Sequence, residues 1–210
     1  MPKKRVFAYF DGSNFYHLMI LNYGSQNVNF HTFSKKMIAD NREELIAIKY
    51  FNSPMSQEEN PTKYASQLKF FQKVRATPLT QLFLGRLAKR QVDYIHISCS
   101  NCGHQVSTEL ICPKCGRRIG MKYCHRVMEK GVDIKLATHL LLDAVQDKYD
   151  VALLISSDAD FCPAIEYIVK TLHKEVVYCH FPKPFTNELK IKCSSTRLIT
   201  EKIVKESKIN

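Results

Sequence analysis

The chain has 210 residues, 45% of them hydrophobic, with a formal net charge of +11 and a pI near 9.3. That length suits one well-packed domain with room for a small insertion, and no apolar stretch approaches the roughly 20 residues that span a bilayer. Met1-Pro2-Lys3-Lys4-Arg5 runs straight into an apolar segment without signal-peptide character, so the expectation is an intracellular, cytoplasmic protein with no membrane partner.

The first expected strand, about 5–10, is Arg5-Val6-Phe7-Ala8-Tyr9-Phe10, closed by Asp11-Gly12-Ser13-Asn14. A helix follows through Phe15 to Ile20, and residues 30–37 read as another. Leu45 to Phe51 reads as a second strand, ended by Asn52-Ser53-Pro54. Pro61 opens a helix carrying Tyr64, Leu68, Phe71 and Val74 at helical spacing. Segments 81–86 and 92–98 read as a strand pair. Helical pattern resumes at Val132, with Asp133, Ala137, Leu140 and Ala144 on one face and Ile134, Leu141 and Val145 beside it. Asp150 to Ser156 is apolar throughout its middle, as a buried central strand requires. A helix over 161–172, a strand over 176–181 and a mostly helical stretch over 188–204 complete the chain. Strands alternating with helices predict an α/β fold, a three-layer α/β/α arrangement with a mainly parallel central sheet.

That topology gives the acidic residues a common address. Asp11 closes the first strand, Asp158 and Asp160 follow the strand at 150–156, and Asp133 opens a crossover helix. All three connections leave the carboxyl edge of a parallel sheet, where open α/β sheets place ligands. Gathered carboxylates repel one another, and a divalent cation is the simplest counter-charge. Taken singly, each acid has a plainer role as a turn residue or helix cap. A phosphoaspartate site wants an acid at position 13, where Ser13 stands, and no Gly-x-x-x-x-Gly-Lys loop supports an ATPase.

Basic charge concentrates between Arg86 and Lys130, with nine Lys/Arg against three acids. Such an excess favours a polyanionic partner, nucleic acid before a soluble surface alone. The same stretch holds Cys99-Ser100-Asn101-Cys102 and Cys112-Pro113-Lys114-Cys115, two knuckles separated by nine residues. Four thiolates at this spacing suit a structural, tetrahedral Zn²⁺, as in a zinc ribbon. Arg117, Arg118 and Lys122, beside Tyr123 and His125, suit contact with single-stranded RNA. The ribbon could instead serve as a stabilising clip or dock a protein partner. The remaining cysteines, Cys124, Cys162, Cys179 and Cys193, read mainly as buried, inert thiols.

Phe10-Asp11-Gly12-Ser13-Asn14, then Lys130-Gly131-Val132-Asp133, then Ile155-Ser156-Ser157-Asp158-Ala159-Asp160-Phe161 together resemble an NYN domain, the LabA-like branch of the PIN-like metal-dependent ribonucleases. The resemblance covers nearly all of the chain except the cysteine-rich insertion. It divides the chain into a nuclease domain, 1–98 with 125–210, and a zinc-ribbon insertion, 99–124. It implies a Mg²⁺- or Mn²⁺-dependent endoribonuclease in which Asp11, Asp133 and Asp158 hold the metal and Asp160 supports them. Asn14 would orient water or a phosphate oxygen, and Lys130 would touch a phosphate. Many relatives carry a further Asp about two turns into the helix that begins at Lys-Gly-Val-Asp. Here that place holds His139, with Asp143 one turn later as a possible substitute. The departure leaves a second reading open, a non-catalytic RNA-binding or adaptor protein with the same fold. A homo-oligomer or a protein partner on the ribbon is a further expectation.

Overall fold

The computed structural model describes residues 2–24, 27–39, 41–58, 60–91, 95–98, 101–102, 104–108, 111–117 and 125–208. In chain order the elements are β1 (Lys4–Asp11), α1 (Gly12–Tyr23), α2 (Phe30–Met37), β2 (Glu43–Asn52), α3 (Pro61–Ala76), β3 (Thr80–Leu84), β4 (Arg86–Gln91), β5 (Ile95–Ser98), β6 (Gln105–Thr108) and β7 (His125–Lys130). They continue with α4 (Val132–Val145), β8 (Val151–Ile155), a 3₁₀ turn (Ala159–Phe161), α5 (Cys162–Lys170), β9 (Glu175–His180), α6 (Asn187–Lys192), β10 (Ser195–Leu198) and α7 (Glu201–Glu206).

The alternating side chains of β1 explain the layering. Val6, Ala8 and Phe10 join one buried cluster with Phe15 of α1, Phe33 of α2, Val74 of α3 and Val204 of α7. Phe7 and Tyr9 point into a second cluster with Leu136 and Leu140 of α4, Ile165 and Ile168 of α5 and Leu189 of α6. A strand buried on both faces this way is the hallmark of a sheet covered by helices on each side. The sheet is six-stranded, ordered β10-β9-β8-β1-β2-β3, and every pairing in it is parallel. The chain order reverses direction between β1 and β8, so the crevice of this doubly wound sheet opens at their carboxyl ends. The expected three-layer α/β/α class is what the chain adopts.

Three local expectations need correction. Among the described residues, 81–86 and 95–98 do not pair with each other: β3 extends the main sheet beside β2, and β5 forms an antiparallel hairpin with β6. The stretch 188–204 is helical only at its two ends, α6 and α7, because the short strand β10 pairs with β9 between them. The buried stripe of α4 is Val132, Leu136, Leu140 and Ala144, while Ile134 is 73% exposed and Val145 also faces solvent.

The chain forms two compact units, Met1–Arg86 with Gly131–Asn210, and Leu87–Lys130. The smaller holds the β4–β7 ladder and the β5–β6 hairpin. No helix among the described residues is long and apolar enough to cross a membrane.

Candidate active site at the carboxyl edge of the sheet

Asp11 is placed by a turn that tolerates only glycine next to it. A Cβ on Gly12 would lie 2.6 Å from the Phe51 carbonyl oxygen and 2.6 Å from the Tyr50 ring, closer than real side chains come. This fit lets α1 start immediately at the end of β1. Asp11 caps the helix, accepting a hydrogen bond from the Asn14 N–H at 3.2 Å. Its second oxygen accepts from the Ser156 hydroxyl at 2.9 Å, across the gap to the end of β8. Only 5% exposed, Asp11 has its carboxyl pushed above the usual range by burial first. The two hydrogen bonds oppose that shift, and the negative fields of Asp133 and Asp158 add to it.

The β8 end is tied to the same turn. The Ser157 N–H donates to the Asn14 side-chain oxygen at 3.0 Å, and the Asp158 N–H donates to Ser156 Oγ at 3.1 Å. Asp158 in turn caps the 3₁₀ turn, accepting from the Asp160 N–H at 2.9 Å. Asn14 therefore joins two connections through its oxygen.

Asp133 stands in the first turn of α4, after Gly131 at φ 81°, a left-handed conformation that favours glycine. No side chain caps this helix start. The Asp133 carboxyl is also raised, by burial and then by Asp158 and Asp160. Asp11 thus lies within electrostatic reach of Asp133 and Asp158, and Asp133 within reach of Asp158 and Asp160. Among the described residues, no Lys or Arg forms an ion pair with any of them, and no group of three or more His, Cys, Asp and Glu side chains is drawn together tightly enough to hold a metal ion. What the edge offers is hard carboxylate oxygen in excess of positive charge, a donor set that suits Mg²⁺ or Mn²⁺.

Asp143 does not join this set. It is 2% exposed and accepts from the Tyr9 hydroxyl at 2.8 Å and Lys148 Nζ at 3.2 Å, and it pairs with the buried Lys49. Burial works against its charge, but these donors win and hold its carboxyl below the ordinary value. His139 packs 4.2 Å from the Phe83 ring, with Lys49 Nζ 3.3 Å from its Nδ1. Burial and that ammonium push the imidazole pKa down, so His139 is a neutral packing residue here. Asp143 is thereby engaged by Lys49, Lys148 and Tyr9 rather than by the acidic edge. Neither the Lys49–Asp143 pair nor the Ser156 bridge was anticipated; Ser156, the first polar residue after the apolar run, was the available signal.

In the smaller unit, residues 112–117 form a tight backbone turn. Cys112 N–H donates to the Arg117 carbonyl at 2.8 Å, and Gly116 N–H returns to the Cys112 carbonyl at 2.9 Å. Backbone N–H groups of Lys114 and Cys115 lower the Cys112 thiol pKa, with the Cys115 side chain assisting, an environment that favours a thiolate. Cys102, Cys115, Arg117 and Lys130 are exposed. Cys99, Arg118, Lys122 and Cys124 lie outside the described residues. Burial raises the thiols of Cys179 and Cys193 to about 12, as expected for inert cysteines; Cys162 is only half-buried.

A doubly wound α/β sheet with acids flanking its switch point defines the class. The chain matches the NYN domain over residues 5–200 and belongs to that family, within the PIN-like group. No curated protein matches it. Among solved structures it is similar to a protein of unknown function, VPA0982, from Vibrio parahaemolyticus RIMD 2210633. That similarity has 16% identity and a TM-score of 0.60 over 99% of this chain and 97% of the other, and it supports the fold alone. Family membership suggests a nuclease-like, RNA-related function.

Proposed function

We propose that the protein is a LabA-like, metal-dependent endoribonuclease that hydrolyses RNA phosphodiester bonds at the β1–β8 edge. The observation that carries this reading is the buried Asp11 carboxyl, held by Ser156 and Asn14 within the fields of Asp133 and Asp158, with no ion pair to a cationic side chain among the described residues. Asp11, Asp133 and Asp158 are the proposed ligands of Mg²⁺ or Mn²⁺, with Asp160 beside them. A divalent cation held there supplies neutralisation of phosphate charge and a lower pKa for water. Ser156 and Asn14 fix the direction of the Asp11 oxygens. The uncapped first turn of α4 offers backbone N–H groups to a phosphate oxygen, and Lys130 is the proposed phosphate contact just before it.

A structural Zn²⁺ held by Cys99, Cys102, Cys112 and Cys115 completes the proposal, with Arg117, Arg118 and Lys122 capturing single-stranded RNA. The thiolate-favouring knuckle at Cys112 supports it. Labelled RNA incubated with Mn²⁺, with Mg²⁺ and without added divalent ion tests the activity. Cleavage should require the ion and should vanish in Asp11→Asn and Asp158→Asn; undiminished cleavage by both variants rejects the site. His139, packed against Phe83 where many relatives carry an acid, favours the alternative of a non-catalytic RNA-binding or adaptor protein. On that alternative RNA binds and is never cut.

A further inference from the structure

Beyond the acids, the same sheet edge continues across β9, one strand spacing of about 4.8 Å past β8. The loop that leaves β9, residues 181–186, carries Phe181-Pro182-Lys183-Pro184-Phe185-Thr186. It is clamped at both ends. At one end the Lys183 N–H donates to the Asn22 side-chain oxygen at 3.1 Å, and the Asn22 amide returns a bond to the Lys183 carbonyl at 2.6 Å. At the other, the Thr186 hydroxyl donates to the Ser157 carbonyl at 2.7 Å, and the Thr186 N–H donates to the Tyr178 hydroxyl at 3.3 Å. Ser157 is the residue before Asp158, so the loop is bonded directly to the acidic turn.

This held loop presents an aromatic ring. Phe185 is 38% exposed, on a loop whose backbone is hydrogen-bonded on both sides of it. The His180 ring meets it edge-on at 4.7 Å, and Tyr178 lies 5.7 Å away. Lys190 Nζ sits 5.9 Å from the ring centroid, and Lys183 is exposed two residues before it. An apolar protein-docking patch would gain little from the two cations. An exposed aromatic ring with one ammonium group beside it and a second lysine two residues away in the same loop is, by contrast, what an unpaired base and its flanking phosphates need.

We propose that Phe185 is a stacking platform for an unpaired base of the strand that crosses the acidic site, with Lys183 and Lys190 as its phosphate contacts. The proposal deepens the ribonuclease reading and rests on it for the identity of the strand. It assigns the preference for single-stranded over duplex RNA to this loop, because a paired base keeps both faces stacked in the helix.

The test uses the full chain and short oligoribonucleotides carrying 2-aminopurine, whose fluorescence falls on stacking, without added divalent ion so that cleavage is off. The wild type should quench the probe. Phe185→Ala should weaken single-strand binding about tenfold and abolish most of the quenching, whereas Phe185→Trp should retain both. A blunt duplex should bind the wild type and Phe185→Ala equally. Lys183→Gln and Lys190→Gln should each lower the salt slope of single-strand binding by about 0.7. Wild-type-like affinity in Phe185→Ala, an equal loss for duplex, or absence of quenching by the wild type would each overturn the platform. Those binding results are read apart from catalysis: intact cleavage by Asp11→Asn and Asp158→Asn would remove the nuclease site without touching the stacking data.

Discussion

Asp11 and Asp143 are both buried aspartates in the larger unit, 5% and 2% exposed, and their charges are treated in opposite ways. Asp143 is surrounded by Lys49, Lys148 and the Tyr9 hydroxyl, and its carboxyl is held below the ordinary range against the cost of burial. Asp11 has a hydroxyl, a backbone N–H and two more carboxylates around it, and its carboxyl is raised. Equal burial therefore produces a satisfied ion pair at one place and an uncompensated negative edge at the other. The first is what stability alone requires. The second costs stability in the free protein, and a bound cation is its natural counterpart.

The largest effect should come from breaking the satisfied side. Asp143→Ala leaves Lys49 buried without its partner and should destabilise the fold by about 3–5 kcal/mol in urea unfolding. The double variant Lys49→Met/Asp143→Leu should recover much of that loss. Next comes Gly12→Ala, which drives a methyl group into the Phe51 carbonyl and the Tyr50 ring. It should cost about 1–3 kcal/mol as overpacking and should also abolish cleavage, since Asp11 moves with the turn.

The smallest effect has the opposite sign. Asp11→Asn keeps a cap acceptor and removes the uncompensated charge, so at neutral pH it should stabilise the protein by about 1 kcal/mol, the low end of the penalty for a poorly compensated buried polar group. Because the folded-state value of Asp11 is raised, its stability contribution is complete below the unfolded carboxylate value, about 3.9, and is lost as pH rises through the folded value. The Asp11→Asn advantage should therefore disappear in acid. Asp143 behaves conversely: its contribution is present above the unfolded value and fades as pH falls through its lowered folded value. The penalty of Asp143→Asn should shrink in acid. Matching pH trends for the two variants, in parallel urea titrations, would erase the distinction.

Much of this edge was legible from sequence because strand ends and helix starts are local signals, and a parallel sheet carries them to one side. Asp11, Asp133, Asp158 and Asp160 needed only their positions after or before an apolar run. β10 was not legible, because Ser195-Thr196-Arg197-Leu198 is a short edge strand with three polar residues among four. The Lys49–Asp143 pair was hidden for another reason. It joins residues 94 apart on a strand and a helix, and no periodicity announces which buried acid will meet which buried lysine. The Phe185 loop escaped notice because its significance lies in its bonds to Ser157 and Asn22, both distant in sequence.

Isothermal titration of Mn²⁺ into the wild type and into Asp11→Asn and Asp158→Asn tests the acidic edge most directly. Saturable binding in the wild type, weakened at least about tenfold in both variants, is the predicted result. No saturable heat from the wild type, or undiminished binding in both variants, would contradict a cation-holding edge.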